Sequence, residues 1–332
     1  MTGELAAVTA ALQAGESVRG ATSPNPPVGC ALIDASGALV ATGATSPAGG
    51  PHAEVNALRQ AEERARGATA VVTLEPCNHT GRTGPCSRAL VEAGVARVVY
   101  LTEDPFEPAA GGAEYLRSHG VETAFQPQRV EALQPWLRSV QHDRPSVTLK
   151  FASTLDGFTA AQDGTSQWIT GREARELVHE DRAVRDAIVV GTGTAIADNP
   201  SLTARYPDGT LREHQPRRVV VGSREVPEGN LTRLGFEQYA TPEEALASLW
   251  DTGARDVLVE GGATLAASVL ERDLVDAVQA YIAPALIGAG HGVLARAVAG
   301  TIADARRFRT TSVRRVGDDV LIEMERDVYG TR

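Results

Sequence analysis

One histidine and two cysteines, each with a marked set of neighbours, constrain this chain more than anything else in it. His52 stands in Pro51-His52-Ala53-Glu54, Cys77 in Glu75-Pro76-Cys77, and Cys86 in Gly84-Pro85-Cys86. One imidazole and two thiols are borderline-soft ligands that suit zinc. Three protein ligands leave the fourth tetrahedral position to water, the pattern of a reactive site rather than a closed structural one. Glu54, two residues after the histidine, is poorly placed as a fourth ligand and well placed to carry a proton. The eight residues between Cys77 and Cys86 are rich in Gly and include Arg82. They read as a loop that doubles as a wall of a substrate site.

Such a site needs a folded scaffold, and the composition supplies one. The chain has 332 residues, 42% hydrophobic and 22% charged, enough for two domains with their own cores. A formal net charge of −10 argues against a general nucleic-acid or membrane-surface binder, because phosphate contacts need clustered Lys and Arg. It leaves room for a small phosphorylated ligand held by a few local Arg. The three cysteines, Cys30, Cys77 and Cys86, fit a reducing compartment better than a disulfide scaffold. No run approaches a membrane span, and the chain is expected to be cytoplasmic.

Patterning gives an α/β layer fold. Leu5, Val8 and Leu12 predict a helix over residues 4–15, followed by the stiff stretch Thr22-Ser23-Pro24-Asn25-Pro26-Pro27. Asn25 sits just ahead of a strand over 28–33, where a fixed amide can meet a flat polar ring. Cys30 falls in that strand and reads as buried. A helix over 53–65, with Val55, Leu58 and Ala61 on its buried face, carries His52 and Glu54 at its first turn. A buried strand over 69–74 delivers Glu75. Both ligand segments thus lie at strand–helix junctions, where open sheets place their sites. Gln141-His142-Asp143-Arg144-Pro145 reads as a linker, giving domains at 1–143 and 144–332. In the second half, Val190-Gly191-Thr192-Gly193-Thr194 and Glu260-Gly261-Gly262-Ala263-Thr264 follow buried strands and offer backbone N–H groups to an anion such as a dinucleotide pyrophosphate. Neither is G-x-G-x-x-G, so no Rossmann fingerprint is present.

The order H-x-E then P-C…C is that of the zinc deaminases. Pro24-Asn25-Pro26-Pro27-Val28-Gly29, Thr73-Leu74-Glu75-Pro76-Cys77-Asn78-His79, Thr154-Leu155-Asp156-Gly157, Ser166-Gln167-Trp168-Ile169-Thr170-Gly171 and Asp198-Asn199-Pro200-Ser201-Leu202-Thr203 extend the likeness over nearly the whole chain. It resembles the RibD family of riboflavin biosynthesis, a pyrimidine deaminase fused to a reductase. The resemblance implies a cytidine-deaminase-like α/β/α domain followed by a dihydrofolate-reductase-like α/β domain. It implies zinc on His52, Cys77 and Cys86, with Glu54 as proton carrier and Asn25 and Asp104 on the deaminase substrate. In the reductase it implies Lys150 as catalytic and Ser166, Arg182, Leu202, Arg205 and Glu260 as substrate contacts. NADPH is expected on Ala152, Trp168, Thr194, Asp198 and the turn Gly262, Ala263, Thr264, Leu265, Ala266, Ala267 and Ser268. A small phosphorylated pyrimidine substrate and a homo-oligomer, dimer or larger, are expected.

The resemblance is the main ground for NADPH over NADH; in support, Gly222 and not an acidic residue follows the strand over 218–221, and Arg224 lies close by for a 2′-phosphate. Three positions depart from the family pattern. Thr45 replaces a His, Phe106 replaces an Asn that meets substrate, and Gly84 replaces a Pro. The Phe106 change motivates a competing reading: an active reductase whose zinc domain is structural or acts on another base.

Overall fold

The computed structural model describes residues 2–79, 84–106 and 108–326. The chain divides into two compact units that meet between Asp143 and Arg144.

The first unit runs α1 (Thr2–Glu16), β1 (Gly29–Ile33), β2 (Leu39–Ala44), α2 (Ala53–Ala61), β3 (Thr69–Val72), α3 (Cys86–Glu92), β4 (Arg97–Tyr100), α4 (Gly112–Ser118), β5 (Glu122–Phe125) and α5 (Gln134–His142). Its strands form a sheet in the order β2-β1-β3-β4-β5 among the described residues. β1 pairs antiparallel with β2 and β3, while β3, β4 and β5 run parallel. β1 is buried along its whole length, Cys30 included. The buried face of α2 differs from the expected one: it is Ala53, Glu54, Ala57 and Ala61, while Val55 and Leu58 are half-buried. Small side chains let the helix lie close on β1 and β2, and Glu54 is carried inward with them.

The expected linker begins inside a helix. Gln141 and His142 end α5, and Asp143 closes it with φ +50. Arg144 is fixed by two hydrogen bonds to the Asp276 carboxylate, at 2.7 and 2.8 Å.

The second unit runs β6 (Ser146–Thr154), β7 (Phe158–Ala161), α6 (Arg172–Arg182), β8 (Ala187–Gly191), α7 (Thr192–Asp198), β9 (Arg217–Val221), α8 (Asn230–Leu234), β10 (Glu237–Tyr239), α9 (Pro242–Asp251), β11 (Asp256–Glu260), α10 (Ala263–Glu271), β12 (Ala277–Ala283), β13 (Gly290–Gly292), β14 (Phe308–Val316) and β15 (Asp319–Arg326). The main sheet has the order β10-β9-β8-β11-β6-β12-β15-β14. It is parallel from β10 to β12, and β15 and β14 add antiparallel at the edge. One face packs Val147, Leu149, Val257 and Val259 against residues of α9 and α10. The other carries Lys150, Glu260 and Tyr281, and the side chains of α6 meet them there.

Candidate functional site

In the first unit the three ligand side chains come together. His52 is the N-cap of α2 and makes no capping hydrogen bond, so its ring is free. Its Nδ1 lies 3.6 Å from the Cys77 Sγ and 3.3 Å from the Cys86 Sγ. All three ligand atoms lie within 4.8 Å of one another. Ligands roughly 2.0–2.3 Å from a tetrahedral zinc stand about 3.5 Å apart along the edges, so these residues fit the ion. Cys86 opens α3, and its backbone N–H points at the Cys77 sulfur at 3.5 Å.

Neighbouring backbone holds this loop in place. The Asn78 N–H donates to the Ala109 carbonyl, and the Ser87 hydroxyl donates to Asn78 Oδ1. Glu75 accepts the Ala113 N–H at 2.9 Å. A Cβ on Gly112 would sit 1.7 Å from the Pro76 carbonyl oxygen, so only Gly lets α4 start this close to the metal loop. The Asn56 amide donates to the Ala44 carbonyl and to Ser46 Oγ, tying down the loop before His52.

Electrostatics sort the roles. Glu54 is 3% exposed. Burial first, and the Cys77 sulfur second, push its carboxyl up to about 7. The Cys86 and His52 contacts pull the Cys77 thiol well down, while contact with Cys77 and burial push Cys86 up. Asp104 accepts the Phe106 N–H, and burial pushes its carboxyl up to about 6. With Glu75 it lines a groove of about 830 Å³ past the ends of β3, β4 and β5; the metal ligands do not line it. Asn25 stands on a half-buried loop fastened by the Thr22 hydroxyl and by the Trp136 indole N–H, which donates to the Pro24 carbonyl at 3.1 Å. Arg82 lies outside the described residues.

The departures have local explanations. Thr45 is buried, and its hydroxyl oxygen accepts the Val28 N–H at 3.1 Å, so it fastens the start of β1. Gly84 has open space around it, and Phe106 is half exposed.

In the second unit a cavity of about 1060 Å³ collects most of the expected residues. Lys150, Ser166, Arg182, Leu202 and Glu260 line it, as do Ala152, Trp168, Thr194, Asp198, Arg224, Gly262, Ala263, Thr264, Leu265, Ala266 and Ser268. Ala267 does not: it is fully buried on the far side of α10. Arg205 is not in the lining either; its Nε donates to the Thr203 hydroxyl at 2.8 Å. Arg182, expected as a substrate contact, lines the cavity with part of its guanidinium already engaged. Nε and Nη2 are taken by Glu260 at 2.6 and 2.7 Å, and Nη1 donates to the Thr203 carbonyl. Burial would raise the Glu260 carboxyl, but Arg182 and Lys150 reverse this and hold it at about 2. Burial pushes the Lys150 ammonium down, with Glu260 opposing.

The cavity floor is shaped for a ligand that approaches backbone closely. Gly261 and Gly262 have φ +76 and +72, and a Cβ on Gly262 would meet the Thr194 hydroxyl at 2.7 Å. A dinucleotide fits such a cradle at the start of α10.

Two signals escaped the sequence reading. Lys150 is the single lysine of a chain with 31 arginines. Gln279, on β12, is a buried polar residue in a strand otherwise apolar except for its tyrosine.

Comparison with known proteins agrees with the geometry. Residues 2–102 match the cytidine and deoxycytidylate deaminase zinc-binding region, and residues 145–322 match the RibD C-terminal domain. Fold and site therefore define a two-unit enzyme, a zinc-dependent deaminase followed by a nicotinamide-dependent reductase. The riboflavin biosynthesis protein RibD of Corynebacterium ammoniagenes is 60% identical over 89% of this chain and 90% of its own length. That of Mycobacterium tuberculosis is 44% identical over 95% of both. A solved diaminohydroxyphosphoribosylaminopyrimidine deaminase/5-amino-6-(5-phosphoribosylamino)uracil reductase from Thermotoga maritima superposes with a TM-score of 0.87, at 31% identity, covering 97% of this chain and 98% of that one. The chain belongs to the RibD family of bifunctional riboflavin-biosynthesis enzymes.

No helix among the described residues is long and apolar enough to cross a membrane.

Proposed function

We propose that the first unit hydrolyses the 2-amino group of 2,5-diamino-6-ribosylamino-4(3H)-pyrimidinone 5′-phosphate, and that the second reduces the ribosyl chain of the product to ribityl with NADPH. The observation that carries this reading is the buried Glu54 beside the His52, Cys77 and Cys86 cluster.

Zinc, when bound by those three residues, supplies a Lewis acid that activates water near neutral pH. Glu54 takes the proton of the attacking water and returns it to the ring nitrogen and the leaving amine. Its raised proton affinity suits both halves of that task. The Asn25 amide orients the ring, and Asp104 accepts from its donors.

NADPH, when bound in the second unit, would supply the hydride that C1′ needs. The C1′–O4′ bond breaks, and O4′ needs a proton. Lys150 holds that proton, and the Glu260–Arg182 pair keeps a fixed negative charge beside it. Arg182 lines the cavity and keeps N–H donors to offer the substrate phosphate, and Arg205 is the second contact that the family implies. The cofactor lies along Ala152, Trp168, Thr194, Asp198 and the turn from Gly262 to Ser268, without Ala267. We also read the chain as a cytoplasmic homo-oligomer; its free cysteines suit that compartment.

Product analysis by mass spectrometry tests the scheme. Without NADPH the diamino substrate should stop at the deaminated compound; with NADPH the ribityl product should form. Reduction without prior ammonia release would sink the order of steps and favour the reading of an inactive zinc unit.

Metal content tests the ligand set. Cys86→Ala should lose the zinc and Cys30→Ala should keep it, because Cys30 is enclosed in β1. The opposite result would reassign the site.

Cofactor choice tests Arg224, which lines the cavity and lies 3.3 Å from where a Gly193 Cβ would be. Arg224→Ala should lower the preference for NADPH over NADH about tenfold or more, the weight of one charge-assisted hydrogen bond. An unchanged preference would place the 2′-phosphate elsewhere.

A further inference from the structure

Lys150 stands in the middle of a row that crosses the second sheet. Glu260 of β11 is in register with it on one side and Gln279 of β12 on the other, with Glu323 of β15 beyond Gln279. In-register neighbours on adjoining strands share a face.

On the Glu260 side both carboxylate oxygens are engaged by Arg182. The Lys150 Nζ makes no hydrogen bond to the described residues and lies 5.5 Å from the centre of the Tyr281 ring. On the other side Gln279 is 9% exposed, and its buried Oε1 finds no hydrogen-bond partner among the described residues. A buried carbonyl oxygen left unpaired is costly, and the half-buried Lys150 ammonium beside it on the cavity wall has no acceptor among the described residues. Here the two occupy adjacent places on one face, and the long lysine side chain can swing between them.

We propose that Gln279 is the positioning residue for Lys150: its carboxamide oxygen receives the ammonium when the side chain turns from the Tyr281 ring, and this contact governs how firmly Lys150 holds its proton. The proposal rests on the reading of Lys150 as the reductase's proton source. The other charged or titratable groups around Lys150 are Glu260 on β11, Asp181, Arg182 and His179 on α6, Tyr281 on β12, Glu323 on β15 and, 3.8 Å from Glu323, Arg314 on β14. Burial weakens the ammonium, so one added acceptor has leverage on it.

The single lysine makes the test direct. Isotope-labelled lysine gives one side-chain NMR signal to titrate in the full chain. Gln279→Met should lower the Lys150 midpoint by about one pH unit, and Gln279→Glu should raise it by about one unit or more. The alkaline limb of reductase kcat should follow each midpoint, while the KM for NADPH stays put. Midpoints equal to the parent's would overturn the proposal, and so would displacement of both in the same direction, the mark of general loosening. Should Gln279→Met fail to fold, Gln279→Leu takes its place: a lowered midpoint supports the contact and an unchanged one overturns it. Midpoints that move as stated while the kcat limb stays fixed would uphold the contact and remove Lys150 from the proton's path.

Discussion

Replacing Glu54 by Gln should cut deamination by about 10²–10⁴-fold, the usual contribution of a general acid–base group, while zinc content and NADPH oxidation on the deaminated intermediate stay as in the parent. The carboxamide has nearly the shape of the carboxylate, so the buried face of α2 is kept, with Ala53, Ala57 and Ala61 still packed. It cannot accept and release a proton. Glu54 is held beside Cys77 and Cys86 in a place where its charge is costly, and a neutral amide there costs less than that charge. Ammonia release measured alongside metal content separates the cases. Parent-like release with zinc bound would move the proton carrier to another group; loss of both zinc and activity would make Glu54 part of the metal site's framework.

The fold's order was legible because its chemistry stands on punctuated junctions. His52 follows a proline and opens a helix; Cys77 follows Glu75-Pro76 at the end of a strand; Gly261 and Gly262 mark a turn that only Gly makes easily. Where pattern and packing diverge, the sequence misleads. α2 displays Val55 and Leu58, yet it buries alanines, because close helix–sheet approach outweighs side-chain hydrophobicity there. β14 shows no alternation. It is an edge strand that buries little and carries Arg309, Arg314 and Arg315, so its signal is that of a guarded edge and not of a core strand.

Pairings across the sheet were not legible at all. Arg182 and Glu260 read as two separate substrate contacts in a linear sequence, 78 residues apart. Only the stacking of α6 over β11 brings them together and pairs the two side chains. Arg144 likewise reads as part of a loose linker until Asp276 is found on it. Removing one partner of such a buried pair costs about 3–5 kcal/mol. Loss of activity in an Arg182→Ala variant therefore carries less information about substrate than the same loss at Lys150.

Lys150→Arg should lower the reductase kcat by about 10²–10⁴-fold and leave deamination and NADPH affinity unchanged. The argument begins with charge. Arginine keeps the positive charge opposite Glu260, so the Glu260–Arg182 pair has no reason to rearrange. It does not keep the chemistry, because a guanidinium with a pKa above about 12 does not give up its proton at working pH. A lysine weakened by burial does. The chain uses arginine at every other basic position, so the exchange is the one its composition has already made elsewhere. Lys150→Met is the companion variant. It removes the charge with little change in length and guards against a fault of size in the arginine variant. The pH profile supplies the sign. A required ammonium makes the reductase active below the Lys150 pKa and inactive above it, so burial should start the alkaline decline earlier than for a solvent-exposed lysine. In Lys150→Met that limb should vanish together with most of the rate. Full reduction by Lys150→Arg, with the alkaline limb intact, would show that the proton comes from another group and that Lys150 serves only as a charge.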